Sequence, residues 1–459
     1  MWGSDALLDS LEAPRVVTLR VPVSIFDAVR RHVEDFSEGE QAGFLICGRA
    51  SSRTGSILFA REWMPVPQDE IQRDKRGFML AWPASFNARV IDRADELNAC
   101  AVLVHSHGDS IKPRLSGPDT RNAKSLFSPV SRLLPGRPCG SVVIGDGAAS
   151  GVFWVGGAPV ANLRALHVVG APIEKWQPEP LPLTSVRRRI DRQTRAIGSR
   201  SDALLADSTI AVIGLSGGGS HVCQQLAHQG LGHLIGVDDQ LVEEVQLGRM
   251  VGAYTTDIDT TFKTAAMRRL AESIDPGIVF EEIRERFPAS RVRQALLDAD
   301  LVIACVDSFL AREEINAFCR RHHLPLIDIG MNIETDGDGS LLSAAGQIVV
   351  VVPDSPCLRC GPLLSDAVLE RERQERPPGY DLNPDAVGDP QIVSMNGVLA
   401  SEAVNCALDL ITGYANGARG AAWWLYDGRM GSLERCKHPS RRAGCPACAE
   451  QGHGEPTFL

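Results

Sequence analysis

The sequence predicts a two-domain α/β protein, with a smaller mixed α/β domain followed by a larger domain built on a parallel, doubly wound sheet. The chain has 459 residues, more than one typical domain, and 44% of them are hydrophobic. Strand-like and helix-like segments alternate from residue 201 onward, which is typical of parallel strands joined by crossover helices. A proline-rich stretch, WQPEPLPLTS, separates this region from an N-terminal one with a different pattern.

The composition excludes several function classes. The formal net charge is −10, from 57 acidic against 47 basic side chains, which argues against a general binder of nucleic acid or membrane surfaces. The N-terminal residues lack a basic segment followed by an apolar run, and no stretch reaches 18 uninterrupted apolar residues. We therefore expect a soluble cytoplasmic protein whose partners are proteins or small molecules.

The N-terminal region, residues 1–160, is predicted to be the mixed α/β domain. Its predicted strands are RVVTLRVP, AGFLICGR, GSILFAREWMPV and ACAVLVHSHG, and a helical pattern covers Ile25–Phe36. Residues 161–185 are predicted to be a linker, which leads through the basic run Val186–Arg195 into the second domain, residues 186–459.

The second domain contains five apolar segments that we predict as parallel strands: Ile210–Gly214, Leu234–Asp238, Gly277–Glu281, Leu301–Cys305 and Pro325–Ile329. The charged, proline-containing segment Leu364–Asp389 is expected to be a mobile loop, and a helix is expected over Asn396–Thr412.

A glycine-rich loop predicts a nucleotide site between the first two of these strands. The glycines at 214, 217 and 219 permit a tight turn and let a phosphate approach the amides at a helix N-terminus. Asp238, at the end of the second strand, can accept a ribose hydroxyl. A dinucleotide dehydrogenase is the default interpretation of such a unit, but Ser216 replaces the second glycine of G-x-G-x-x-G.

Four charged residues around this unit favour adenylation over hydride transfer. Arg192, Arg249 and Lys263 can neutralise a triphosphate, and Asp307, which follows a strand, can hold Mg²⁺. The alternative for each residue alone is an ordinary surface charge.

Two other groups of residues have the spacing of metal sites. His105 and His107 are two residues apart at the end of an apolar run, and Asp119 follows; together they leave one zinc position open for water, unless the histidines are a chance surface pair. A closed, structural four-thiolate zinc site is predicted from two C-x-x-C pairs, Cys357/Cys360 and Cys445/Cys448, with redox or free thiols as the alternatives.

The N-terminal motif resembles the JAB/JAMM metallopeptidase signature, since Glu40 precedes the strand GFLICG and H-x-H is followed by S-x-x-D. The resemblance implies that the two histidines and Asp119 bind a catalytic zinc, that Glu40 is the general base and that Ser116 is an oxyanion donor. Relatives of this type cleave peptide or isopeptide bonds at the C-terminus of ubiquitin-like proteins. Gly108 stands where the family usually has proline, and the gap from His107 to Ser116 is one residue longer than usual.

The region from about 186 to 450 resembles the ubiquitin-activating-enzyme superfamily of ThiF, MoeB and HesA type. The matching pieces are an R-Q pair, the glycine loop, V-D-D with a downstream arginine, the lysine, C-x-D and the paired C-x-x-C motifs. The resemblance implies that ATP binds at the glycines and Asp238, that Arg249 and Lys263 contact the triphosphate, that Asp307 binds Mg²⁺, and that a partner subunit supplies Arg192. Ser216, Gln240 and Gln246 depart from the family pattern.

Family members that form a thioester carry a cysteine near the segment DPQIVS, which here has none. Cys406 is the nearest cysteine, and its helical pattern predicts a packed side chain. We therefore expect adenylation without a thioester on this chain, or with an atypical one.

Together these features predict a bifunctional, homodimeric enzyme of a bacterial-type ubiquitin-like pathway. It would use one catalytic and one structural Zn²⁺, ATP and Mg²⁺ to trim or remove a modifier and to adenylate its C-terminal glycine. The alternatives are an activator of a sulfur-carrier protein and a catalytically inactive scaffold that binds the modifier. The identity of the modifier and the need for a separate conjugating enzyme are left open.

Overall fold

The computed structural model describes residues 15–35, 39–73, 75, 79–182, 186–336, 338–375 and 390–455. It divides into two compact units. One contains Met1–Val168, Lys175–Pro180 and Gly452–Leu459, and the other contains Val169–Glu174 and Leu181–Gln451. Within the described part of the chain, no helix is both long and apolar enough to cross a membrane.

The first unit is built on a mixed sheet of eight strands in the order β1-β3-β2-β6-β7-β8-β9-β10, with β1 also paired to β9. These strands are β1 (Arg15–Pro22), β2 (Ala42–Ser51), β3 (Gly55–Pro65), β6 (Cys100–Ser106), β7 (Cys139–Ile144), β8 (Ala149–Val155), β9 (Ala158–Val169) and β10 (Glu174–Trp176). A separate hairpin pairs β4 (Gln72–Arg73) with β5 (Met79–Ala81).

Both faces of this sheet are buried, which explains why its central strands are continuous apolar runs. Leu45 and Cys47 face one core, against which α1 (Val23–Val33) packs. Phe44 and Ile46, which alternate with them, face a second core with α2 (Ala84–Glu96) and α3 (Gly117–Leu133). The helix expected over Ile25–Phe36 begins two residues earlier, directly after Pro22, and Phe36 lies outside the described residues.

The C-terminal residues 452–455 belong to the first unit, although the sequence pattern placed them in the second domain. The Glu455 amide donates to the Arg49 carbonyl at 2.9 Å, and Gly454 forms a parallel bridge with Arg49 on β2. Pairing between a short tail and a distant strand leaves no periodic signal in the tail itself.

The second unit contains a sheet of eight strands in the order β13-β12-β11-β14-β15-β16-β17-β18. They are β11 (Thr209–Ile213), β12 (His233–Val237), β13 (Val279–Ile283), β14 (Leu301–Ala304), β15 (Leu326–Thr335), β16 (Leu341–Val351), β17 (Trp423–Asp427) and β18 (Ser432–Cys436). The helices are α4 (Asp191–Ile197), α5 (Ser201–Ala206), α6 (Gly217–Gln229), α7 (Lys263–Ile274), α8 (Ser290–Leu297), α9 (Phe309–Arg321), α10 (Asp366–Glu375), α11 (Val393–Thr412) and α12 (Pro446–Ala449).

The prediction of a parallel sheet is confirmed for the first five strands in that order, and the remaining three are antiparallel. The chain order reverses between β11 and β14, which lie side by side. The carboxyl ends of two such strands form the crevice in which ligands bind in open α/β sheets. The expectation of a loop over Leu364–Asp389 was wrong for the residues of α10, whereas residues 376–389 lie outside the described residues.

Candidate functional site

The glycine-rich loop connects β11 to α6 at the crevice between β11 and β14. Gly214 has a φ of +86°, and a Cβ there would lie 2.7 Å from the carbonyl oxygen of Cys305. A Cβ on Gly219 would clash with the carbonyl oxygen of Gly214, so both positions require glycine. Ser216 is the N-cap of α6, yet its side chain makes no capping hydrogen bond. The helix N-terminus therefore offers amides to an anion.

Asp238 and Lys263 lie beside this loop. Asp238 accepts hydrogen bonds from the Leu215 amide at 2.9 Å and from the Gln240 amide at 3.0 Å, which fixes the carboxylate at the end of β12. Lys263 is buried, and its Nζ donates to Gln240 Oε1 at 2.6 Å and lies 3.9 Å from Asp238 Oδ1. Gln240, where the family has a second acid, therefore orients the lysine without neutralising it.

Arg249 and Asp307 complete this group. Arg249 Nε donates to Ser216 Oγ at 3.3 Å and so lies against the glycine loop. Asp307 is exposed and follows β14, and the Cys305 amide bonds to the Ile213 carbonyl at 2.8 Å. The structure thus brings together the predicted residues Gly214, Gly217, Gly219, Asp238, Arg249 and Lys263. The backbone of Cys305 and Val306, which leads to Asp307, lies against Gly214. Gln246, by contrast, is buried and accepts a hydrogen bond from the Glu243 amide.

Arg192 does not lie near the glycine loop within this chain. It is exposed on α4, which is attached to the opposite end of α6: Gln193 Nε2 donates to the Gln229 carbonyl at 2.9 Å, and Arg189 donates to the Ala227 carbonyl at 3.2 Å. Because α6 has 13 residues, about 20 Å separates this end from the glycine loop. A role for Arg192 in catalysis would have to be at another chain's site.

Asn396 is a candidate site residue that the sequence did not indicate. A Cβ on Gly217 would lie 2.6 Å from Asn396 Nδ2, so the amide side chain contacts the glycine loop directly. Asn396 Nδ2 also donates to Gln391 Oε1 at 3.1 Å. The predicted helix began at Asn396, whereas α11 begins at Val393, so the residue lies in its first turn.

The first unit holds a second candidate site at the end of β6. The side-chain atoms of His105, His107 and Asp119 lie within 4.8 Å of one another. The Nε2 atoms of the two histidines are 3.7 Å and 3.4 Å from Asp119 Oδ2. His105 is 3% exposed, and both its ring nitrogens are buried without a hydrogen-bond partner among the described residues. A buried imidazole with an unsatisfied nitrogen fits a metal ligand, so these residues fit zinc.

Ser116 and Asp119 form the capping box of α3. The Ser116 amide donates to Asp119 Oδ2 at 2.7 Å, and Ser116 Oγ accepts from the Asp119 amide at 3.2 Å. Burial alone would raise the pKa of the Asp119 carboxyl, but contacts with His105 and His107 lower it well below its ordinary value. Asp119 is therefore ionised, as a metal ligand must be.

Glu40 comes two residues before Ala42, which is paired with His105 across β2 and β6. In antiparallel strands this register leads Glu40 toward the same end of the sheet as His107. Arg73 Nε donates to the Glu40 carbonyl at 3.3 Å and Arg73 Nη2 to Gln41 Oε1 at 3.2 Å. The backbone around Glu40 is therefore held in place.

The four predicted cysteines form one cluster. The Sγ–Sγ separations are 3.8 Å for Cys357–Cys360, 3.6 Å for Cys357–Cys445, 3.6 Å for Cys360–Cys448 and 3.5 Å for Cys357–Cys448. A tetrahedron with zinc–sulfur bonds of about 2.3 Å has edges of about 3.8 Å, so the donor set fits zinc. Contact with Cys357 lowers the pKa of the Cys448 thiol below its ordinary value, which favours the thiolate.

Two further cysteines lie outside the cluster. Cys436, which precedes the second C-x-x-C pair in the sequence, is not part of it. The prediction that Cys406 packs within a helix is confirmed, since its side chain is 0% exposed on α11. Burial raises the pKa of its thiol to about 12, so it is a poor nucleophile near neutral pH.

Comparisons with known proteins found similar sequences, a similar solved structure and one matching family. Over 246 residues the chain is 30% identical to the sulfur carrier protein ThiS adenylyltransferase of Escherichia coli, covering 53% of this chain and 87% of that protein. It is 30% identical over 177 residues to the SAMP-activating enzyme E1 of Haloferax volcanii, covering 38% of this chain and 62% of the relative's length. Escherichia coli MccB with MccA-N7isoASN is a similar solved structure, with a TM-score of 0.47, 17% identity and coverage of 57% of this chain and 75% of that one. The ThiF family matches residues 190–447, more than half of the chain, and the chain therefore belongs to the ThiF family.

Proposed function

We propose that the chain adenylates the C-terminal carboxylate of a ubiquitin-like or sulfur-carrier protein at the expense of ATP. The observation that carries this proposal is the convergence of the α6 N-terminus, Asp238, Arg249 and Lys263 at the crevice between β11 and β14, beside the segment that leads to Asp307. The names of the two relatives, one an adenylyltransferase for a sulfur carrier protein and the other an activating enzyme E1, support this proposal.

Each group has a role in this reaction. The loop amides, Arg249 and Lys263 would hold the phosphates, and Asp238 would hold a ribose hydroxyl. Asp307 would hold Mg²⁺, which supplies positive charge as pyrophosphate leaves. A carboxylate oxygen of the protein substrate attacks the α-phosphorus, an acyl-adenylate forms, and the bond to pyrophosphate breaks. Arg192 would reach the site of a second chain, which requires a homodimer.

The substrate class can be tested by ATP–pyrophosphate exchange. A modifier with a free C-terminal glycine should support exchange, and Asp307→Ala should abolish it while leaving the zinc content unchanged. Running the assay with a sulfur-carrier protein and a ubiquitin-like modifier separates the two activator hypotheses. No exchange with either, despite an intact fold, would favour the inactive scaffold. A conjugating enzyme would be required only if the activated modifier is transferred to a further protein.

A metallopeptidase activity of the first unit is a second candidate function, favoured by the His105/His107/Asp119 cluster. Zinc held there would activate a water molecule for attack on an amide bond. Glu40 would take the proton from that water and pass it to the leaving amine, and Ser116 would donate to the oxyanion. Together with adenylation, this activity would let one chain trim a modifier and then activate it.

The peptidase proposal predicts a specific loss in Glu40→Gln. This variant should retain zinc but stop cleaving a modifier that carries extra C-terminal residues, because only the proton carrier is removed. The extended modifier should then fail to support exchange, while the modifier with a free glycine should still support it. Undiminished cleavage by Glu40→Gln would remove Glu40 from the mechanism.

A further inference from the structure

Helix α9 begins two residues after Asp307 and carries three buried polar side chains on one face. Arg312, Asn316 and Arg320 follow one another at intervals of four residues and are 6%, 0% and 2% exposed. Residues with this spacing lie along one side of a helix. Burying charged and amide groups is costly unless they are paired, so their partners indicate what this face of the helix does.

Arg312 connects the Asp307 segment to the neighbouring strand. Its Nη2 donates to the Val306 carbonyl at 2.6 Å and to the Ile329 carbonyl at 3.0 Å, and its Nη1 donates to Asp328. Val306 is the residue before Asp307. Gly330 leaves room for the guanidinium, because a Cβ at that position would lie 2.6 Å from Arg312 Nη2. The planar guanidinium of Arg312 thus fixes the backbone beside Asp307 relative to β15.

Asp328 is the buried acidic partner of the Arg312 guanidinium. It is 0% exposed and lies opposite Ala304, where β14 pairs with β15. Burial raises the pKa of its carboxyl to about 6, although Arg312 acts to lower it. A buried ion pair adds little net stability compared with apolar side chains, which favours a role in positioning. The next residue, Ile329, contacts the glycine loop, because a Cβ on Gly218 would lie 2.9 Å from Ile329 Cδ1.

We propose that Arg312, oriented by Asp328, is a positioning residue that sets Asp307 at the distance from the glycine loop required to hold Mg²⁺ beside the nucleotide. This inference rests on the proposed adenylation function. Arg312 would not contact ATP itself. Its effect would be carried by the Val306 carbonyl, one residue from the Mg²⁺-binding acid.

The other two residues of the same face provide a matched comparison. Asn316 Oδ1 accepts from the Leu358 amide at 3.1 Å, inside the first C-x-x-C pair. Arg320 Nη1 donates to the Val352 carbonyl at 2.9 Å, and its Nη2 lies 3.7 Å from Cys448 Sγ. These contacts support the cysteine cluster, so equivalent changes at Arg312 and Arg320 should have different effects.

The test measures ATP binding by calorimetry over a range of Mg²⁺ concentrations, with no protein substrate present. Arg312→Lys keeps the positive charge but removes the planar guanidinium that contacts Val306, Ile329 and Asp328 together. It should raise the Mg²⁺ concentration for half-maximal enhancement of ATP binding by about tenfold or more, because displacing a ligand by about 1 Å is costly. ATP binding without Mg²⁺ and zinc content should be unchanged. Arg320→Lys should retain the wild-type Mg²⁺ dependence but release zinc faster to a chelator.

The possible results separate the two proposals. A wild-type Mg²⁺ dependence in folded Arg312→Lys would overturn the positioning role while leaving adenylation intact. Wild-type protein that binds no ATP would overturn the adenylation proposal and this inference with it. If Arg312→Lys fails to fold, Asp328→Asn tests the same contact, because it keeps the shape of the side chain and removes its charge. It should shift the Mg²⁺ dependence in the same direction by a smaller factor, and no shift would contradict the role of Arg312.

Discussion

The two clusters of candidate metal-ligand side chains differ in how the chain builds them. His105, His107 and Asp119 come from one strand end and the first turn of the next helix, and their three donors leave a coordination position open. The four cysteines come from two segments far apart in sequence and leave no position open. A local, open set suits chemistry on a bound water, whereas a long-range, closed set suits stabilisation of the fold.

The surroundings of the two clusters differ in the same way. The Asp119 carboxylate is held by the capping box of α3, which would form with or without a metal. The cysteine segments adjoin short helices, with Leu358–Cys360 and Pro446–Ala449 providing only a turn each. Such short elements are unstable alone, so we expect their positions to depend on the metal. Loss of metal should therefore lower the stability strongly at the four-cysteine cluster and weakly at the His105/His107/Asp119 cluster.

The largest effect is expected from Cys357→Ser. Structural zinc sites contribute apparent binding free energies of about 10 kcal/mol or more, comparable to the whole stability of a domain. The variant should lose one zinc per chain, and the second unit should no longer unfold cooperatively in a thermal melt. The matched control is Cys436→Ser, because Cys436 lies outside the cluster. This variant should retain the wild-type zinc content and the cooperative thermal unfolding. A variant at Cys357 that melts like wild type would show that the cluster is not structural.

A smaller effect on stability is expected from His107→Ala. Because α3 is capped without the metal, the fold should persist, with a change in unfolding free energy of about 1 kcal/mol. Metal analysis should show zinc falling from about two to about one per chain. His228→Ala, an exposed histidine of the second unit, should leave the zinc content unchanged. Unfolding of the first unit in His107→Ala would make this cluster structural as well.

The smallest effect is expected from Cys406→Ala, because this variant should lose neither metal nor activity. Its thiol is buried with a pKa of about 12, so it is protonated at pH 8 and should not form a thioester with a modifier. Removing the sulfur should cost about 1 kcal/mol of stability and leave pyrophosphate exchange intact. Electrophoresis with and without reductant would detect a covalent adduct. An adduct in wild type that disappears in Cys406→Ala would show that the thioester chemistry was misplaced.

The sequence by itself determined the features that depend on local spacing. The glycine loop, the five parallel strands, the H-x-H pair and the two C-x-x-C pairs were all predictable, because turn geometry, strand periodicity and metal ligation require certain residues at fixed intervals. The burial of Cys406 was predictable for the same reason, since its helix alternates apolar and polar residues with a helical period.

Only the tertiary structure decided which distant residues meet. The pairing of β16–β18, the contact of Asn396 with Gly217 and the pairing of the C-terminal tail with Arg49 depend on packing between elements. The location of Arg192 depends on which end of α6 binds α4, and its position in the sequence says nothing about that choice. The Arg312–Asp328 pair is likewise visible only in the fold, because a buried charge and a surface charge look the same in a sequence until their neighbours are known.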